Sequence, residues 1–96
     1  MAKFYNKLYS LLKEQRTKAK VPKNVAWELE LTKEEQENII GPIEDDEGSE
    51  QNYIYAIYPW EHNVFALTSD GWDIPLKSAL TDPTIEKLYN SIIARV

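Results

Sequence analysis

The chain has 96 residues, of which 43% are hydrophobic and 11% aromatic, carries a formal net charge of −5 and contains no cysteine. The apolar content is too high for a disordered chain, and the length suits one domain over residues 1–96. The lack of cysteine excludes disulfides and thiolate sites. Charges interrupt residues 1–15, so the sequence predicts no signal peptide, and no apolar stretch is long enough to predict a membrane span. We therefore expect a cytoplasmic protein.

The first half of the chain contains one predicted helix, one strand and one short helix. Apolar residues recur at helical spacing from Phe4 to Leu12, which predicts an N-terminal helix that ends before Pro22. Apolar and polar residues then alternate in VAWELEL, residues 25–31, which predicts a strand with one acidic face. Thr32 with Glu35 three residues later predicts a capping box for a short helix.

The second half predicts a three-strand meander and a final helix. YIYAIY, at residues 53–58, is apolar on both faces and predicts a central strand. Asp70-Gly71 predicts a type I′ hairpin turn before a return strand that runs to Leu76. Asp82 and Pro83 predict the cap and first position of a helix. We therefore predict an α+β fold: about four antiparallel strands, including the meander, with the N- and C-terminal helices packed on one face.

Charge is unevenly divided along the chain. Residues 1–23 carry +6, residues 24–50 carry −9 and residues 51–96 carry −2. The acidic part includes GPIEDDEGSEQN, residues 41–52, with five carboxylic acids and no base. Asymmetry of this kind concerns partners and association rather than fold.

No set of residues in the sequence predicts a catalytic or metal site. Aligning Gly48 with the required glycine of a calcium-binding EF-hand loop places Ile43 and Ile54 at positions that need oxygen ligands. His62 is the single histidine, with no recognisable nucleophile beside it, and three glycines are too few for a phosphate-binding loop. We therefore expect no enzyme activity, no cofactor and no bound metal.

The charge pattern and the aromatic meander together predict a protein-binding module. We expect the acidic surface of residues 28–50, with aromatic anchors from the meander, to bind another protein with a basic surface, which a nucleic-acid-binding protein would present. In that role the protein would act as an inhibitor or regulator. The predicted partner-binding residues are Glu28, Glu30, Glu34, Glu35, Glu44, Asp45, Asp46, Glu47, Glu50, Tyr55, Tyr58 and Trp60.

Two alternative functions use the basic N-terminal segment. The +6 end could pair with the −9 segment of a second copy, which would make the protein a self-associating structural or assembly subunit. The lysine-rich N-terminal helix could instead contact phosphates of a nucleic acid or a membrane surface. The sequence weighs against the second alternative, because the acidic segment repels phosphates and the apolar residues of that helix are needed in the core.

Overall fold

The computed structural model describes residues 3–22, 25–39 and 53–96. Within them, four helices and a four-stranded antiparallel sheet confirm the predicted α+β fold class. The elements in chain order are α1 (Lys3–Lys18), β1 (Leu29–Glu30), α2 (Lys33–Asn38), β2 (Ile54–Trp60), β3 (Asn63–Thr68), β4 (Asp73–Pro75), α3 (Leu76–Ala79) and α4 (Asp82–Arg95). None of the helices in these ranges is both long enough and apolar enough to cross a membrane.

The sheet has the order β1-β2-β3-β4, so each strand pairs with its neighbour in the chain. All three pairings are antiparallel. The strand predicted from YIYAIY is β2, and it is central, as expected from its apolar residues on both faces.

One core joins the two long helices to the sheet. α1 and α4 pack against each other, and α1 also contacts β2 and β3. The buried residues of the two helices keep helical spacing: Tyr5, Leu8 and Leu12 in α1, and Ile85, Leu88 and Ile92 in α4. The sheet contributes the buried side chains of Ile57 and Val64. Each leucine or isoleucine buried here contributes about 1.5–3 kcal/mol to the free energy of unfolding.

The first strand is shorter than predicted. The alternation over residues 25–31 predicts a long strand, but only Leu29–Glu30 pairs with β2. Leu29 lies opposite Ile57, so a longer ladder would place Trp27 opposite Pro59. Trp60 pairs with Asn63 across a tight turn, which directs the backbone of Trp60 to β3 and that of Pro59 to the β1 edge. Proline has no N–H to donate there, and the ladder ends.

The two-residue type I′ turn lies between β2 and β3. At Asp70-Gly71 the predicted hairpin is confirmed, because β3 and β4 pair antiparallel on either side of it, but the predicted turn type is wrong. Glu61 and His62 have φ angles of 46° and 66°, which a two-residue type I′ turn requires. At the second hairpin only Gly71 has a positive φ, of 94°. There the N–H of Thr68 donates to the carbonyl of Trp72, so the loop has three residues, and the Thr68 hydroxyl donates to the Asp70 carboxylate.

The sequence predicts the starts of α2 and α4 to within one residue. The capping box of α2 is confirmed, because the Thr32 hydroxyl accepts from the Glu35 N–H at 3.1 Å and the Glu35 carboxylate accepts from the Thr32 N–H at 2.9 Å. The cap of α4 is Thr81 rather than Asp82, since Thr81 holds the extended backbone of a cap. Leu76, predicted to end the return strand, instead begins α3.

Candidate binding surface

The face of the sheet opposite the helices, here called the outer face, consists of three rows of paired residues. Residues that lie opposite each other on neighbouring strands share a face. The first row is Glu30, Ala56, Leu67 and Asp73, and the second is Tyr58, Phe65 and Pro75. The third is Trp60, whose paired residue Asn63 accepts a hydrogen bond of 3.1 Å from Tyr5 of α1. The outer face is therefore aromatic at its centre and acidic at both edges.

The aromatic centre is partly open to solvent. The rings of Tyr58 and Phe65 stack with centroids 5.7 Å apart and planes 17° apart. Trp60 is 58% exposed. A β-bulge between Ile54 and Ala56 shifts the register at Tyr55, which is also exposed. Large aromatic side chains at a surface are typical anchors of protein interfaces.

The strands carry negative charge only. The four described strands contain the carboxylates of Glu30 and Asp73 and no lysine or arginine. The Tyr58 hydroxyl donates a hydrogen bond of 2.6 Å to Oδ2 of Asp73. Burial, this hydrogen bond and the charges of Asp73 and Glu28 raise the pKa of Tyr58 to about 12. The phenol therefore stays neutral at physiological pH and holds Asp73 beside the aromatic centre.

A groove of about 760 Å³ lies between α1, residues 25–28 and the end of β2, and it reaches Leu67 and Asp73 on the outer face. We call it the edge groove. It exists because β1 is short, so residues 25–28 pass Pro59 without forming a ladder. Its aromatic and proline lining consists of Tyr9, Trp27, Tyr58, Pro59 and Trp60.

Both signs of charge line the edge groove. The sheet side and the segment before β1 provide three carboxylates, those of Glu28, Glu61 and Asp73. α1 provides Lys13 and Arg16. The outer-face end of the groove is thus acidic, whereas the α1 wall is basic.

The basic wall makes contacts within the chain. Nη2 of Arg16 donates to the carbonyls of Pro22 at 3.2 Å and Val25 at 3.5 Å, which fastens the segment leading to β1. Nζ of Lys13 lies 5.7 Å from the ring centroid of Tyr9. The ring of Tyr9 also contacts His62, with the two ring centroids 5.8 Å apart.

Glu35 was predicted to contribute to the acidic surface, but its side chain is fully buried between α2 and α4. Arg95 donates to it twice, from Nε to Oε2 at 2.9 Å and from Nη2 to Oε1 at 2.8 Å. The Ser91 hydroxyl donates to Oε2 at 2.8 Å, and the Thr32 N–H donates to Oε1. This cluster fastens α2 to α4, and it leaves Glu35 no exposed surface for a partner.

Two opposing effects set the pKa of Glu35. Burial raises it, but the hydrogen bonds from Arg95, Thr32 and Ser91, with the positive charge of Arg95, lower it more. The net result is a pKa below the usual value of 4.5. Glu35 is therefore ionised at neutral pH and holds the positive end of Arg95 in place.

The remaining predicted partner-binding residues divide into two groups. Glu28 and Glu30 are exposed beside the outer face, and Glu34 is exposed on α2. The five acids of the central loop lie outside the described residues: Glu44, Asp45, Asp46, Glu47 and Glu50. The structure therefore brings Glu28, Tyr58 and Trp60 together at the edge groove, with Glu30 and Tyr55 on nearby sheet positions.

The sequence reasoning missed the contributions of Tyr9, Trp27 and Asp73 to this surface. Tyr9 and Trp27 fit the periodicity of their own elements, which predicts core positions rather than a shared groove, and Asp73 belongs to no motif. Pro59 is the one signal that could have indicated an open edge, because proline interrupts a ladder.

Among residues 3–22, 25–39 and 53–96, no three histidine, aspartate or glutamate side chains are grouped closely enough to hold a metal ion. Comparison with known proteins gave no match, whether to a protein-family model, a curated protein or a solved structure.

Proposed function

We propose that the protein is a small, non-enzymatic, cytoplasmic binding module that recognises a basic surface on another protein. By covering that surface, such as one that binds nucleic acid, it would act as an inhibitor or regulator of its partner. The observation that carries the proposal is the outer face: exposed aromatic side chains bordered by carboxylates, on strands without a lysine or arginine.

The two chemical features of the outer face have different roles in this proposal. Trp60, with the stacked Tyr58 and Phe65, supplies the apolar contact area from which most of the binding energy of an interface comes. Glu28, Glu30 and Asp73 supply negative potential, which speeds the encounter with a basic partner and disfavours acidic ones. The acidic central loop, residues 44–50, would extend that potential.

Capture from lysate of the source cells, after nuclease treatment and at low and high salt, tests the proposal. The baits are the wild-type protein, Glu28→Lys and a triple charge reversal of Asp45, Asp46 and Glu47 to lysine. Glu86→Lys is the matched control, because Glu86 is equally exposed but lies on α4, on the other side of the molecule.

The expected result is a basic protein that wild type and Glu86→Lys retain at low salt and lose at high salt, and that Glu28→Lys retains poorly. A captured protein that is not basic, or one that Glu28→Lys retains as well as wild type, would contradict the proposal. A bait that binds only itself would instead support the assembly subunit. Direct binding to RNA, DNA or anionic vesicles that is lost when Lys13, Arg16 and Lys20 become glutamine would support the lysine-helix alternative.

A further inference from the structure

We infer that the edge groove binds a proline-rich, extended segment of the partner that carries an arginine or lysine. The inference rests on the proposed function, because it names the kind of segment that a basic partner would place against the outer face. It depends on three independent features of the groove: its backbone, its aromatic lining and the position of its carboxylates.

The backbone at the edge groove is unsuited to strand addition. An extended peptide that joins a sheet needs donors and acceptors along the open edge. The open part of the β2 edge begins at Pro59, which has a carbonyl but no N–H, and it continues into the turn at Glu61. A ligand here is therefore recognised through its side chains and shape rather than by a ladder of main-chain hydrogen bonds.

The lining suits a polyproline helix. Such a helix has no internal hydrogen bonds, is already extended before binding and packs its rings against aromatic grooves. The edge groove offers Tyr9, Trp27, Tyr58 and Trp60. Trp60 is more than half exposed, so its ring is accessible to a ligand. The volume of about 760 Å³ lies within the range of binding sites for small ligands and short segments.

The charges that line the groove predict the sign of the ligand's charge and the direction in which the ligand lies. Glu28 and Asp73 lie at the outer-face end, beside the Tyr58 hydroxyl, where a guanidinium or ammonium group would meet two carboxylates. On the opposite wall, Arg16 is engaged with the carbonyls of Pro22 and Val25. The arginine or lysine of the ligand is therefore expected at the Glu28 end, with the prolines towards Trp27 and Trp60.

The test is isothermal titration calorimetry with synthetic peptides. The probe is a blocked proline-rich peptide with a pair of arginines, about nine residues long, which extends over about 28 Å as a polyproline helix. One control peptide replaces the arginines by glutamate, and a second replaces the prolines by glycine and serine. We expect the probe to bind with a Kd below about 1 mM, and each control to bind at least about tenfold more weakly.

Matched variants locate the binding. Trp60→Ala and Glu28→Lys should each lower the affinity for the probe by about tenfold or more. Trp72→Ala and Glu86→Lys should leave the affinity within about twofold, because neither side chain lines the groove, although Trp72 is 67% exposed. Circular dichroism melting tests whether each variant is folded. If Trp60→Ala does not fold, Trp60→Phe provides a milder change at the same position.

Three results would overturn the inference: no binding of the probe, equal binding of the glycine-serine peptide, or equal loss in Trp72→Ala and Trp60→Ala. If the probe fails while capture of a basic protein still depends on Glu28, the inference is wrong and the proposed function stands. If the probe binds at the groove while capture is unchanged in Glu28→Lys, the proposed function is wrong.

Discussion

Glu35 and Glu28 belong to the same acidic stretch of sequence, yet they occupy two very different regions. Glu35 is fully buried in the cluster that joins α2 to α4, with its carboxylate bonded by Arg95. Glu28 is exposed at the edge groove, where it contributes negative potential next to Tyr58. Net charge summed along a segment therefore conceals two environments: one carboxylate is buried in an ion pair that joins two helices, and the other is exposed to solvent.

Among the charged residues, the largest expected effect comes from breaking the buried cluster. Arg95→Ala leaves the Glu35 carboxylate buried without its cation and should lower the free energy of unfolding by about 2–4 kcal/mol in urea denaturation. The matched control is Lys18→Ala, which removes an exposed ion pair to Glu14, 3.1 Å long, and should cost less than about 1 kcal/mol. Equal losses in the two variants would show that the buried cluster contributes no more to the free energy of unfolding than an exposed ion pair does.

The buried cluster also predicts how stability depends on pH. Folding lowers the pKa of Glu35. Its carboxylate therefore stabilises the folded protein at pH values above the usual pKa of 4.5, and this stabilisation is lost as the pH falls through the folded-state pKa. Between about pH 5 and about pH 2, wild type should lose more stability than Glu35→Gln, which cannot titrate at this position. Parallel loss in the two proteins, measured by urea denaturation, would contradict this assignment.

Trp60→Ala should separate binding from folding at the other region. Because Trp60 is 58% exposed on the outer face, its removal should change the free energy of unfolding by less than about 1 kcal/mol. Leu88→Ala, in the core of α4, should cost about 2–5 kcal/mol in the same urea titration. A cost for Trp60→Ala as large as for Leu88→Ala would mean that the outer face is a second core rather than a binding surface.

The smallest expected effect is a gain at the turn beside the edge groove. Glu61 has a φ of 46°, which asparagine adopts more readily than glutamate. Glu61→Asn should therefore raise the free energy of unfolding by about 0.5–1 kcal/mol, measured by thermal melting. Asp70→Asn serves as the comparison, because Asp70 does not have a positive φ and should show no such gain.

Features that depend on neighbouring residues in the chain were predictable from the sequence. The capping box of Thr32 and Glu35 is a contact across three residues, and both of its hydrogen bonds are present. The stripes of α1 and α4 follow from helical periodicity, and the order of the meander follows from its short connections. These features were enough to predict the α+β class and the position of the helices on one face.

Features that depend on distant residues were not predictable in the same way. β1 begins only at Leu29 because the preceding residue that would pair through its backbone, Trp27, would lie opposite Pro59. Pro59 is about 30 positions away in the chain, and it falls opposite Trp27 only because Leu29 pairs with Ile57. The burial of Glu35 is decided by Arg95, near the C-terminus. The residues that line the edge groove come from five separate stretches of the chain, so no single stretch of sequence indicates it.

If the outer face and the edge groove bind a basic partner, that partner will change the surroundings of Trp27 and Trp60, which line the groove, and not those of Trp72. A ¹⁵N NMR titration of the protein with the captured partner, or with the proline-rich arginine peptide, measures this through the indole N–H signals of the three tryptophans and the backbone N–H signals. We expect shifts at Trp27 and Trp60, with Trp72 unchanged. Shifts confined to the backbone N–H signals of the lysines in α1, with the indole signals of Trp27 and Trp60 unmoved, would show that the partner does not bind at the outer face or the edge groove.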